Sequence, residues 1–227
     1  MGVNTNYRPD TLEAALAHLR ASKPAHLQAL QQATLANGAA LYPADLIIHG
    51  VAQRSLQLLS GFSVMVEQSN VVCAVPLLRL QLDSIMRFYA LWLVPDPNEV
   101  LLALLSDKPF KNLKSSDGKS LMDTYLKEQL SKHHPWVSEV YKRTSGFIHL
   151  SSPGLLSGVV SVGDDTSRMI KMLIGSKAGR KWSDIEKKEA VDAFIAATDA
   201  LLHLFVSWGV TKEIVAEQRA DVTEKGQ

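Results

Sequence analysis

From Tyr141 to Gly154 the chain reads YKRTSGFIHLSSPG, which gathers a tyrosine, an arginine, two hydroxyls and a histidine into two to three helical turns. Histidine exchanges protons near neutral pH, and arginine grips oxyanions through a planar fork of donors. Arg143 and His149 therefore suit proton transfer beside a negatively charged group, with Tyr141, Thr144 and Ser145 as neighbours. A second polar set lies earlier in the chain. Arg79, Asp83 and Arg87 stand at i, i+4 and i+8 in LLRLQLDSIMRFYAL, so a helix would align them along one face that is otherwise apolar. Tyr141, Ser145 and His149 have the same spacing. A buried charge without a partner costs several kcal/mol, so two such stripes on hydrophobic helices are expected to meet. The simplest arrangement has Asp83 bridging its two arginine neighbours, with Arg79 and Asp83 buried against the Ser145/His149 face.

Other chemistries find less to stand on. Ser145, His149 and Asp83 have the residue types of a hydrolytic triad, but no Gly-x-Ser-x-Gly turn frames the serine. His133 and His134 have no carboxylate pattern typical of a zinc site, and no glycine-rich phosphate loop occurs. No metal and no cofactor is expected. The single cysteine, Cys73, excludes an internal disulfide; its apolar surroundings suggest a buried thiol.

The elements that must position these groups are helical. In 227 residues with 46% hydrophobic and 21% charged content there is material for one substantial core. Asp10 with Glu13 reads as a capping box for a first short helix, and Pro24 suits the first turn of a second. Pro43 opens a long helix to about Ser69, Asn70 caps another running to about Val94, and Asp96-Pro97 starts a third. His134-Pro135 opens the helix that carries Arg143, and Pro153-Gly154 closes it. Residues 157–175 contain two short apolar runs around Gly163-Asp164-Asp165, a β-hairpin pattern. Ser183 and Glu186 then cap a last helix whose stripe of Val191, Phe194, Ile195, Leu201, Leu202, Phe205 and Trp208 belongs in a core. The expectation is an all-α multi-helix bundle with a small inserted hairpin. Residues 1–41 form short helices packed on it, residues 42–221 form the bundle, and residues 222–227 a frayed tail.

A net charge of +1 gives no molecule-wide attraction for nucleic acid, so any basic surface is local. Residues 108–143 hold eight Lys or Arg against four Asp or Glu, and Lys177, Arg180 and Lys181 make a second basic patch able to follow a phosphate backbone. No hydrophobic signal core opens the chain, and polar residues interrupt its two longest apolar segments. A cytoplasmic protein without membrane spans is expected.

The five-residue gap between Arg143 and His149 resembles the Arg-x(4–6)-His motif of the HEPN superfamily (higher eukaryotes and prokaryotes nucleotide-binding). The pairing of LLRLQLDSIMRFYAL with SGFIHLSS is also similar to bacterial helical families near it. Thr144 departs from the pattern, since Asn, Asp or His usually follows the arginine. The resemblance implies a HEPN-like helical bundle acting as a metal-independent endoribonuclease in toxin, antiphage or RNA-processing systems. In that role His149 would handle the 2′-OH proton and Arg143 the phosphate. Six positions apart, the two side chains diverge by about a third of a turn. The resemblance therefore implies a homodimer in which two motif copies meet, with an antitoxin or regulatory protein as a further partner. The competing expectation is a non-catalytic helical protein that binds a partner or ligand, with its polar stripe holding the bundle together.

Overall fold

A computed structural model describes residues 9–148, 156, 159–163, 169–175 and 182–225, with side chains as far as 218. The chain is an all-α bundle with one two-stranded antiparallel hairpin before the last helix. Two short helices, α1 (Leu12–Ala21) and α2 (Lys23–Ala39), precede the long antiparallel pair α3 (Pro43–Glu67) and α4 (Val71–Tyr89). Short helices α5 (Pro97–Leu105) and α6 (Asp123–Ser131) then lead to α7 (Trp136–Ile148). Strands β1 (Val159–Val162) and β2 (Ile170–Met172) form the hairpin, and α8 (Asp184–Lys225) closes the fold.

The punctuation largely follows the sequence. The Asn70 side chain accepts the Cys73 N–H, and Asp96 accepts that of Asn98. Ser183 and Glu186 exchange hydrogen bonds at the start of α8. Three expectations need correction. Thr11 rather than Asp10 caps α1, accepting the Ala14 N–H at 3.2 Å. The regular part of α4 ends at Tyr89, where the chain tightens into a 3-10 turn at Ala90–Trp92. Cys73 is exposed, because the first turn of α4 points it outward.

Helix α8 is the shared wall of the core. Phe194 stacks on Phe62 of α3 at 4.4 Å between centroids, beside Leu16 and Leu19 of α1. Further along, Phe205 meets Phe88 of α4 edge-on at 5.3 Å, with Leu82, Ile85 and Trp208 around them. Residues 184–218 of α8 are long and apolar enough to cross a membrane by length and composition, but 56% of an apolar 18-residue stretch within them is buried inside the bundle.

Against α2, helix α8 comes close enough to favour glycine. A Cβ on Gly209 would lie 3.3 Å from the Ala33 Cα. One turn further, Lys212 reaches the C-terminal end of α2, where Ala36–Gly38 leave helical geometry. Its ammonium is fully buried and donates to Ala33 O (3.1 Å), Thr34 O (3.3 Å) and Asp45 Oδ2 (3.1 Å). Asp45 also accepts the Trp208 indole N–H and the Tyr42 backbone N–H, each at 2.8 Å.

Candidate functional site

The α4 stripe is an ion-pair network closed within the chain, and its acid comes from an unexpected element. Arg79 is 9% exposed and lies over the Tyr141 ring at 3.9 Å, joining α4 to α7. Its carboxylate partner is Asp123, at the start of α6, at 3.6 Å. Arg87 reaches the same carboxylate at 2.7 Å, takes Asp83 at 3.3 Å and covers the Phe110 ring. The bridging role expected of Asp83 therefore belongs to Asp123. Asp83 keeps only the i, i+4 bond to Arg87, and its side chain is 27% exposed rather than buried. The contact between the two stripes runs through Tyr141. Ser145 donates to the Tyr141 carbonyl at 2.7 Å, and the buried Thr144 donates to the Val140 carbonyl at 2.8 Å. Both hydroxyl protons are held by their own helix, as in Ser/Thr back-bonding generally.

Arg143 differs in kind. Its side chain is 66% exposed and, among the described residues, its ion pairs are with the surface carboxylates Glu139 and Glu189, each at 3.4 Å. Exposed pairs of this geometry contribute at most about 1 kcal/mol, so a ligand can displace them. His149 follows directly on Ile148, the last described residue of α7; it lies outside the described residues, as do Lys177, Arg180, Lys181 and the Pro153-Gly154 stop.

Arg143 stands at the rim of two clefts. The larger, about 670 Å3, runs between α4, α7 and α8 and is mainly apolar, with Val75, Leu78, Phe147 and Trp182 in its wall beside Arg143 and Glu189. The smaller, about 490 Å3, lies between α7 and α8 and includes His134, Trp136, Asp199 and His203. Burial, and then repulsion from His133 and His203, hold His134 below its ordinary range. Burial pushes Asp199 up, opposed by His18 and His203. Near neutral pH this cleft offers an uncharged imidazole, while Glu139, Glu189, Asp192 and Asp199 outnumber Arg143. That balance repels phosphate, so an anion has its easier approach to Arg143 from the apolar side.

A third polar cluster is sealed. His26, Ser55 and Gln81 are fully buried between α2, α3 and α4. The Ser22 carbonyl lies 3.0 Å from His26 Nδ1 and can only accept, so that nitrogen carries the proton. Nε2 then accepts the Ser55 hydroxyl at 2.9 Å, and Ser55 accepts the Gln81 amide at 2.7 Å. The serine-histidine contact resembles that of a nucleophile, but no substrate reaches it. Nothing in the local sequence pattern marks Asp123, Lys212 or this triad, since each joins helices distant in the chain.

Comparison with protein-family models, with curated proteins and with solved structures finds no match for this chain.

Proposed function

We propose that the protein is a HEPN-like, metal-independent endoribonuclease in which Arg143 clamps the scissile phosphate and His149 transfers the proton. The observation that supports this reading is the division of labour among the arginines. Arg79 and Arg87 are committed to Asp123 and to aromatic faces, whereas Arg143 stands exposed at a cleft rim, close in sequence to His149. The α4 stripe and Tyr141 then serve as the rigid support of α7, and Ser145 acts through the backbone rather than on substrate. A homodimer would bring two motif copies together, since side chains six positions apart on one helix would diverge. Such an activity fits a cytoplasmic toxin or defence component held in check by an antitoxin or regulatory partner, with Lys177, Arg180 and Lys181 following the RNA backbone.

The test is cleavage of defined single-stranded and structured RNAs by the purified protein with and without EDTA. Arg143→Ala and His149→Ala are each expected to lose at least about 10²-fold in rate while keeping the wild-type circular dichroism spectrum. Absence of RNA cleavage by the wild-type protein across salt and near-neutral pH would remove the reading.

One observation favours a second reading: the apolar lining of the larger cleft. Its volume lies in the range of small-molecule sites, and Arg143 at the rim would orient an anionic head group. On this reading the protein is a non-catalytic binder of apolar anions. An anilinonaphthalene sulfonate probe would bind with fluorescence gain, and Val75→Trp would abolish the gain by filling the cleft; no gain in the wild type would dismiss it.

A further inference from the structure

Arg143 and Phe147 stand at i and i+4 on α7, so they share a face of the helix about 6 Å apart along its axis. Both line the larger cleft, and so does Trp182, which comes two residues before α8 begins. Arg143 is exposed, whereas Phe147 and Trp182 are half-buried, so a cation at the rim borders aromatic surface inside. Trp182 is held in place, since it packs on the core cluster that contains Leu78 and Phe194. The two carboxylates of this wall are engaged: Glu186 with Ser183 at the start of α8, and Glu189 with Arg143. The volume of about 670 Å3 holds a nucleobase together with its ribose.

We infer that the larger cleft is a nucleobase pocket, in which an unpaired base stacks against Phe147 and Trp182 while Arg143 holds the adjoining phosphate. Two arguments select that occupant. The first is spacing. One helical turn between the guanidinium and the Phe147 ring is close to the reach from a nucleotide's phosphate to its own base. The second is the chemistry of the wall. An aliphatic chain needs only apolar volume, whereas aromatic planes set beside a cation suit a flat ring that carries a negative charge. A base inside a duplex has both faces covered by its neighbours and cannot enter, so the pocket selects single-stranded or flipped-out nucleotides. The inference rests on the endoribonuclease reading for the identity of the anion. To that reading it adds Phe147 and Trp182 as the residues that restrict the substrate to unpaired RNA.

Fluorescence anisotropy on the full chain tests it with a short labelled 2′-deoxy oligonucleotide, which lacks the attacking hydroxyl and so separates binding from cleavage. Moving a single abasic site along the probe is expected to find one position where affinity falls about 5- to 100-fold, the range of one base–aromatic stack. Annealing the probe to its complement should cost at least as much. Phe147→Ala should weaken the intact probe to a similar extent and remove the penalty of the abasic site. Should that variant fail to fold, the wild type decides alone: 2-aminopurine at the sensitive position is expected to lose emission on binding, as it does when stacked. An affinity indifferent to abasic sites at every position overturns the inference. So does equal affinity for single strand and duplex, or no binding of the probe at all. Anilinonaphthalene sulfonate binding in the cleft without any base dependence would overturn it in favour of the apolar-anion reading. The two readings fail separately. RNA cleavage without base dependence removes only the pocket, and base-dependent binding without RNA cleavage removes only the endoribonuclease.

Discussion

Lys212→Met should be among the most damaging single substitutions in this protein, although its chemistry is conservative in size. The ammonium has three oxygen partners within 3.3 Å and no solvent contact. Two of those partners, Ala33 O and Thr34 O, are carbonyls near the end of α2, where the chain leaves helical geometry. Methionine fills the volume but leaves these groups and one carboxylate oxygen without their cation. Removing one member of a buried pair costs about 3–5 kcal/mol, a large share of a typical domain's stability. Asp45→Ala should cost at least as much, because Asp45 also accepts from Trp208 and Tyr42, and its loss strands a charge and two N–H donors together. Trp208 gives a local reporter. Urea unfolding followed by both far-UV circular dichroism and tryptophan fluorescence should show lower midpoints for each variant with unchanged slope. The double variant should be less damaged than the sum of the two, because each single change strands what the other removes. A Lys212→Met cost under about 1 kcal/mol, the range of exposed pairs, would refute the reasoning.

Asp123→Ala should destabilise by about 2–3 kcal/mol, since Arg79 loses its carboxylate partner, while Asp83→Ala should cost under about 1 kcal/mol because Arg87 retains Asp123; equal costs in urea titrations would overturn the assignment of Asp123 as the bridge. Gly50→Ala should stabilise α3 by about 0.5–1 kcal/mol, since nothing lies within 4 Å of the added methyl, whereas Gly209→Val should destabilise by at least about 2 kcal/mol against the α2 backbone; thermal melts compare them directly. Burial holds the His26 pKa below its ordinary 6.5, so the unfolded chain binds the proton first on acidification. The His26 contribution is complete above about pH 6.5 and is lost as the pH falls towards the folded value. His26→Leu should therefore flatten the fall in urea midpoint between about pH 7 and 5, and an unchanged slope would show that His26 does not govern it.

What could be read in the sequence is what depends on neighbours along the chain. Asn70, Asp96 and the Ser183/Glu186 pair act within one turn, so their capping is visible in a few letters. The apolar stripe of α8 and the hairpin were legible for the same reason, through their periods. The Asp10 expectation shows the limit of that approach: Thr11 next to it is an equally good cap, and only the entry geometry of the chain chooses. Polar networks follow a different rule. The burial of Arg79 is legible because a lone charge on an apolar face needs a partner, but the partner is set by where α6 docks. Asp83 was the obvious candidate because it is near in sequence. Asp123 prevails because it reaches both guanidiniums at once.

The same distinction separates the residues of the candidate site. A charge placed by tertiary packing, as Arg79 and Arg87 are, has its electrostatic field largely cancelled before any ligand arrives. Among the described residues Arg143 pairs with Glu139 and Glu189, both exposed, and water weakens such pairs. A phosphodiester brings one full charge and two oxygens that match the guanidinium fork, so it competes with two screened carboxylates, particularly with the apolar cleft wall excluding water on one side. Neutralising one competitor should therefore strengthen anion binding. Glu189→Gln is expected to raise the affinity for a short single-stranded oligonucleotide by about 2- to 5-fold at low salt, an effect of up to 1 kcal/mol. The gain should shrink as salt increases, because screening weakens the exposed carboxylate in the wild type as well. Fluorescence anisotropy at two ionic strengths measures both quantities. If Glu189→Gln leaves affinity unchanged while Arg143→Ala abolishes it, the carboxylates are not competitors, and the anion reaches Arg143 in a geometry that leaves both pairs intact.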